Sequence, residues 1–129
     1  MKKVSFDFDS TLSRKDVQEY AKSLVNNGLE VWIVTSRFDN ETGEKKGWWW
    51  TKRQNQKLFD VAEKCGIKKE NIKFTKMVDK IEFLKGRNFI FHLDDCDVEI
   101  ELIKESGDDC VGVCVDVGGW KEKCDKIIK

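Results

Sequence analysis

The sequence has no proline, a single histidine and no pair of cysteines at Cys-x-x-Cys spacing. Its five cysteines, Cys65, Cys96, Cys110, Cys114 and Cys124, are odd in number and scattered. With one histidine to help them, they poorly support a zinc site. Cys110 and Cys114 could share one side of a strand, but two thiols alone rarely make a structural site. They read instead as buried, reduced thiols of a reducing compartment. Long hydrophobic runs are also missing. No stretch approaches the roughly 18 apolar residues of a membrane helix, and Met1-Lys2-Lys3 runs straight into a strand-like segment carrying acids, unlike a signal peptide. The expected location is cytoplasmic, with no membrane partner. Charge of neither sign dominates, since Lys plus Arg and Asp plus Glu number 24 each. Broad attraction to nucleic acid or to anionic membrane is therefore not indicated, a local basic patch aside.

What is present suits a globular domain with a densely charged surface: 129 residues, 40% hydrophobic and 37% charged. That length allows one compact domain with a real core and is too short for two. With no low-complexity segment or internal repeat, residues 1–129 read as a single domain.

Strand and helix patterns alternate along it. Val4 to Phe8 is an apolar strand-like run with Val4, Phe6 and Phe8 on one face. In Lys15 to Asn27, Val17, Tyr20, Ala21, Leu24 and Val25 recur at helical spacing, and Asn26-Asn27-Gly28 supplies a stop. Leu29 to Val34 is a second strand leading to Thr35-Ser36-Arg37. A polar loop from Phe38 to about Thr51 carries Trp48-Trp49-Trp50, and a helix is expected over Lys52 to Lys64. Ile72-Lys73-Phe74 is a third strand and Asp79 to Lys85 a short helix. Phe89 to Leu93 is a fourth strand, stopping at Asp94-Asp95. Val98 to Glu105 is helical by period, Cys110 to Val117 a fifth strand, and Trp120 to Lys129 an amphipathic helix. Strands alternating with helices imply βαβ units, hence an α/β three-layer Rossmann-like sandwich around a mainly parallel five-stranded sheet. Near-continuous apolar strands agree, because both faces of such a sheet are covered.

Ligands of open parallel sheets bind at the carboxyl ends of the strands, and the polar residues that stand out lie there. Asp7 and Asp9 end strand one, Thr35 and Ser36 end strand two, Lys76 and Lys80 follow strand three, and Asp94 and Asp95 end strand four. If the chain stays extended, Asp7 and Asp9 point the same way, about 6.5 Å apart. Were strand four beside strand one, Asp94 and Asp95 would join them. Carboxylates so close raise one another's pKa values unless a cation lies between them; Mg²⁺ with several retained waters suits an open, carboxylate-lined site. A phosphate brought to that ion needs a lysine and a hydroxyl or backbone N–H groups, roles open to Thr35 and a lysine. One carboxylate can then attack phosphorus, and a second can protonate the leaving oxygen and later activate water.

The run Val4-Ser5-Phe6-Asp7-Phe8-Asp9-Ser10-Thr11 resembles the first signature of the haloacid dehalogenase-like (HAD) superfamily, Asp-x-Asp-x-Thr after an apolar strand. Val31-Trp32-Ile33-Val34-Thr35 resembles its second motif and Phe91-His92-Leu93-Asp94-Asp95 its fourth, in the family's order. The resemblance implies Asp7 as nucleophile and Asp9 as general acid/base. It also implies Mg²⁺ held by Asp7, the Asp9 backbone carbonyl and Asp94, with Asp95 assisting. Aspartate at position 9 favours phosphatases over branches such as transport ATPases. For the motif lysine, Lys80 is preferred and Lys76, nearer the strand end, competes. Neither the gap after strand one nor that after strand three holds a cap domain, and an uncapped site often accompanies large substrates.

Each feature has a plainer reading. A single acid pair at a strand end is usually a solvated turn, and it is the ordered set that argues for chemistry. Thr35 could simply cap the segment after it. Trp48 and Trp49 are candidate substrate-binding residues, stacking a flat group, with Lys45, Lys46, Lys52 and Arg53 nearby. The preferred reading, however, packs one or two of the three tryptophans on the core while the rest brace the loop or meet a partner. Arg37 could grip a substrate phosphate bidentately or pair with a surface acid, and His92 is expected to be packed or hydrogen-bonded. The expected activity is Mg²⁺-dependent phosphomonoester hydrolysis, on a nucleotide or a nucleic-acid end, by a monomer or weak homodimer. The competing readings are a protein that binds Mg²⁺ without turnover and a phospho-accepting receiver domain. The latter is disfavoured because receivers carry their phosphorylated aspartate on strand three, and Ile72-Lys73-Phe74-Thr75 has none.

Overall fold

The computed structural model describes residues 1–129. Five strands, β1 (Lys3–Phe6), β2 (Glu30–Thr35), β3 (Ile72–Phe74), β4 (Phe89–Asp94) and β5 (Val111–Cys114), form one sheet in the order β3-β2-β1-β4-β5. Every pairing is parallel. The helices are α1 (Lys15–Asn26), α2 (Asn40–Lys45), α3 (Trp50–Cys65), α4 (Ile81–Leu84), α5 (Asp97–Ser106) and α6 (Trp120–Ile128). No helix is long and apolar enough to cross a membrane.

The apolar residues sort to the two faces of the sheet with period 2, except that a register shift in the β1–β4 pairing, where Lys3 faces Phe89 and Val4 faces Phe91, puts Phe89 and Phe91 on opposite faces. On one face Val4, Phe6, Val31, Ile33, Phe91 and Leu93 meet α1 (Val17, Tyr20, Ala21, Leu24), α3 (Leu58, Ala62, Cys65) and Cys124 of α6. On the other, Val34 and Phe89 meet Ile81 and Leu84 of α4 and Ile103 of α5. The result is a three-layer sandwich. Phe6, Phe89, Phe91 and Leu93 are almost wholly buried, each contributing about 1.5–3 kcal/mol by the area removed from water. All five cysteines are unpaired, with Cys65, Cys110 and Cys124 buried. Cys96 departs from the expectation of burial: it lies exposed in the turn between β4 and α5.

Strand order reverses between β1 and β4, and this reversal opens a crevice at their carboxyl ends. Two local departures from the sequence pattern shape it. β1 stops at Phe6 rather than Phe8. The Asp7 N–H still donates to the Leu93 carbonyl at 2.9 Å, but Leu12 N–H then returns to the Asp7 carbonyl (3.1 Å) and Ser13 N–H to that of Phe8 (2.9 Å). The chain thus curls into a wide turn, with Ser10 at φ 58°. β5 likewise ends at Cys114 instead of Val117, since Val117 N–H turns back to the Cys114 carbonyl.

The segment read as a polar loop, Phe38 to Thr51, contains α2, and α3 begins at Trp50 rather than Lys52. α2 closes on Gly47 at φ 73°, with Trp48 N–H donating to the Gly43 carbonyl (2.8 Å) and Gly47 N–H to that of Glu44 (3.1 Å), a Schellman ending. Gly43 is buried where α2 crosses α3, and a Cβ there would lie 2.5–2.7 Å from the side-chain atoms of Thr51. Gly43→Ala is expected to destabilise the protein by about 1–3 kcal/mol, as overpacking does, read as a lower urea midpoint. Gly118→Ala, with nothing within 4 Å of the added carbon, should stay near the native midpoint.

Candidate active site

The crevice between β1 and β4 is lined by charge. Lys80, at the residue before α4, is 3% exposed, and its Nζ lies 2.8 Å from Asp7 Oδ1 and 2.6 Å from Asp94 Oδ2. The lysine is steered there by its own backbone, whose N–H donates to Glu99 Oε2 of α5 at 2.9 Å. Lys76 goes elsewhere. It sits at φ 56° in the turn after β3, half-exposed, with its Nζ 3.7 Å from Asp39 Oδ1.

Asp94 is the better supported of the two carboxylates. Besides Lys80 it accepts from His92 Nε2 at 2.7 Å and from the Cys96 N–H at 3.0 Å. Burial alone would raise its pKa, but His92 and Lys80 outweigh that and hold the carboxyl well below the usual range. His92 is fully buried. Burial lowers its pKa against the opposing pull of Asp94, so the ring is neutral: Nε2–H donates to Asp94 and Nδ1 accepts the Ser5 hydroxyl at 2.7 Å. Burial would likewise lower the Lys80 pKa, yet the carboxylates of Asp7 and Asp94 raise it, so the ammonium is kept.

Asp7 has less. It is buried, shares the Lys80 ammonium, and accepts a long 3.4 Å bond from the Thr11 hydroxyl. Burial, only partly offset by Lys80 and reinforced by the neighbouring Asp94 charge, pushes its pKa from 3.8 up to about 8. Asp95 completes the group: one carboxylate oxygen from each of Asp7, Asp94 and Asp95 lies within 4.8 Å of the others. These are hard oxygen donors with Lys80 as the one cation beside them, which fits a divalent cation of the Mg²⁺ class and suits zinc less well.

The side chain of Asp9 is not in that group. Because the backbone leaves the strand before it, Asp9 turns outward, 57% exposed, and both of its oxygens are held by Arg37, Nε at 2.9 Å and Nη2 at 2.7 Å. Arg37 also donates to the Gln54 carbonyl (2.9 Å) and to Asn55 Oδ1 (3.4 Å), and its guanidinium lies 5.0 Å from the centre of the Phe8 ring. Of the two readings of Arg37, the structure shows the pairing with a surface acid, and that acid is Asp9. Thr35 is fully buried at the end of β2, its hydroxyl accepting the Arg37 N–H at 3.3 Å. Ser36, half-buried beside it, takes the Met77 N–H on its carbonyl.

The tryptophans stand farther out. Trp48 meets Phe38 edge-to-face at 5.1 Å and stacks on Trp50 at 6.2 Å, while Trp49 is 77% exposed. The expectation that one or two of them pack on the core is corrected, since none joins either core cluster. The α2–α3 turn holds them clear of the sheet, and Trp48 with Trp50 braces that turn instead. Asn55 was overlooked in the sequence. It is 1% exposed, donating to the Phe38 carbonyl and to Asn40 Oδ1, both at 2.9 Å. Its signal was a polar residue at helical spacing with Leu58 and Ala62, on the inward stripe. Glu99 had no such signal.

No protein-family model matches the chain, and no curated protein matches it.

Two expectations follow from the cluster. The folded protein holds a proton on Asp7 that the unfolded chain loses near pH 4, so this group's stabilisation falls as pH rises from about 4 through about 8. In thermal melts without divalent ions, stability should decline across that window; Mg²⁺ should restore it and release a proton on binding, and Asp7→Asn should flatten the decline. His92→Phe strands the Ser5 hydroxyl and leaves Asp94 Oδ2 with Lys80 as its one donor, and urea denaturation should show a loss of about 1–3 kcal/mol.

Proposed function

We propose that the chain is a Mg²⁺-dependent phosphomonoester hydrolase of the HAD type, with Asp7 as nucleophile. The observation that carries this reading is the buried Asp7–Lys80–Asp94 cluster, with Asp95, at the carboxyl ends of β1 and β4. A structural ion pair gains little from two buried carboxylates sharing one ammonium. A site that receives a cation and a phosphate needs that arrangement.

Asp7, Asp94 and Asp95 would hold the ion, which when bound neutralises phosphate oxygens and keeps Asp7 ionised. The residues do the rest. A carboxylate oxygen of Asp7 bonds to phosphorus as the bond to the leaving oxygen breaks, and Asp9 gives that oxygen its proton. Water then attacks phosphorus, the bond to Asp7 breaks, and Asp9 takes the proton of the water. The sum is ester plus water giving alcohol plus phosphate. Lys80 stays protonated beside the transferring group and balances its charge. Thr35, through its hydroxyl, holds the Arg37 backbone at the mouth of the site. Arg37 has both oxygens of Asp9 engaged; a phosphate competes for the same donors, and the competition frees Asp9 for proton transfer. The connections from β1 to α1 and from β3 to α4 hold single turns and no inserted domain, so the site is open. A cytoplasmic, reducing location fits the five unpaired cysteines.

Hydrolysis of p-nitrophenyl phosphate should require Mg²⁺, vanish in Asp7→Asn, and fall by about 10²–10⁴-fold in Asp9→Asn. Turnover in Asp7→Asn equal to that of the native chain would refute the assignment.

A further inference from the structure

The hairpin of α2 and α3 carries a feature that phosphate chemistry alone leaves unused. A cavity of about 600 Å³ lies between the two helices, lined by Asn40, Glu44, Gly47, Trp48, Trp49 and Lys52. That volume suits a small organic ligand. A second hollow of about 230 Å³ adjoins it across Trp48 and reaches Trp50 and Arg37. Arg37 is the residue that grips Asp9. Trp48 is the wall that the two hollows share, with Trp49 on the outer one and Arg37, the partner of Asp9, on the inner one.

Their walls have the chemistry of a nucleoside pocket. Trp49 is 77% and Trp50 41% exposed, although indole surface is normally buried. The hairpin keeps them exposed by construction: the Schellman ending at Gly47 and the contact of Gly43 with Thr51 fix the turn, and Trp48 stacked on Trp50 stiffens it. Positive charge stands beside the rings, Lys46 Nζ lying 5.4 Å from the Trp48 ring centre and Lys52 lining the cavity. Asn40, whose carbonyl oxygen is engaged by Asn55, keeps its amide N–H donors, and Glu44 offers acceptors for the edge of a base. Stacking faces flanked by cations and a few polar groups are what binds a nucleobase with its phosphate.

We propose that these two hollows together form a nucleoside subsite: a base stacks on Trp49, the sugar passes Trp48, and the esterified phosphate reaches Arg37 and Asp9. The phosphate end of the proposal rests on the phosphatase reading; the aromatic end does not. A free nucleotide and the terminal nucleotide of a single strand share this chemistry.

The test is calorimetric titration in the Asp7→Asn background with Mg²⁺, where nothing is hydrolysed during the measurement. The probes are adenosine 5′-monophosphate, ribose 5-phosphate and a 3′-phosphorylated single-stranded pentadeoxynucleotide. The nucleotide should bind roughly tenfold more tightly than ribose phosphate, the worth of one stacked base. Adding Trp49→Ala should remove most of that preference and Trp49→Tyr should keep part of it. So exposed a side chain can be cut without unfolding the protein, and an unchanged melting curve verifies this. Tighter binding of the pentanucleotide, weakening with salt, identifies a strand end; equal binding identifies a free nucleotide, and both uphold the subsite. Equal affinity for nucleotide and ribose phosphate, or a preference that survives Trp49→Ala, overturns it. The two readings fail separately. Native protein that hydrolyses both phosphates without base preference refutes the subsite alone, whereas base-dependent binding with no turnover of any phosphate refutes the phosphatase and leaves the subsite standing.

Discussion

One ammonium group shared between two buried carboxylates organises this molecule. Lys80 sits between Asp7 and Asp94 at the point where the sheet reverses its strand order, and the surrounding elements serve that contact. The Leu93 carbonyl pins Asp7, and His92 with the Cys96 N–H fixes Asp94. Glu99 anchors the backbone of Lys80. Burying so much charge is unfavourable in a low-dielectric interior unless every member is paired. Asp94 is paired on all sides. Asp7 is not, and the imbalance makes it the responsive member of the set.

The different surroundings of Asp7 and Asp9 follow from three residues of backbone. Had the chain stayed extended to Asp9, both carboxylates would have crowded into one negative pocket. By curling after Phe6 it sends Asp9 outward to Arg37. One aspartate is thereby kept dry beside Lys80 and Asp94, and the other is left exposed in the grip of Arg37. Arg37 ties this outer aspartate to the α2–α3 hairpin through Gln54 and Asn55, so the tryptophan-bearing turn and the carboxylate site belong to one connected structure.

The parts legible in the sequence were those written as local pattern. Apolar runs of period 2 and stripes of period 3.6 marked the five strands and the longer helices, and polar residues at strand ends marked where to look. α2 escaped because six residues, Asn-Glu-Thr-Gly-Glu-Lys, carry no apolar stripe, and the helix exists through its close packing on Thr51. The acid paired with Arg37 and the hydroxyl on His92 escaped for a different reason. Asp9 with Arg37 and Ser5 with His92 are 28 and 87 residues apart, and nothing local in a sequence says which distant polar groups a folded sheet will bring together. The lysine ambiguity belonged to the same class: Lys76 and Lys80 both follow β3, and only the turn at Lys76 and Met77, both at positive φ, separates the one that turns to Asp39 from the one that enters the cluster.

The central claim is that Asp7 carries the phosphoryl group during turnover. Its most direct test is to quench the Mg²⁺-loaded protein with acid while it turns over a phosphomonoester, reduce with borohydride, and sequence the peptides by mass spectrometry. A phosphorylated aspartate is reduced to homoserine, so the account predicts homoserine at position 7 and at no other aspartate. Steady turnover that leaves Asp7 unmodified, or that converts a different carboxylate, would contradict it.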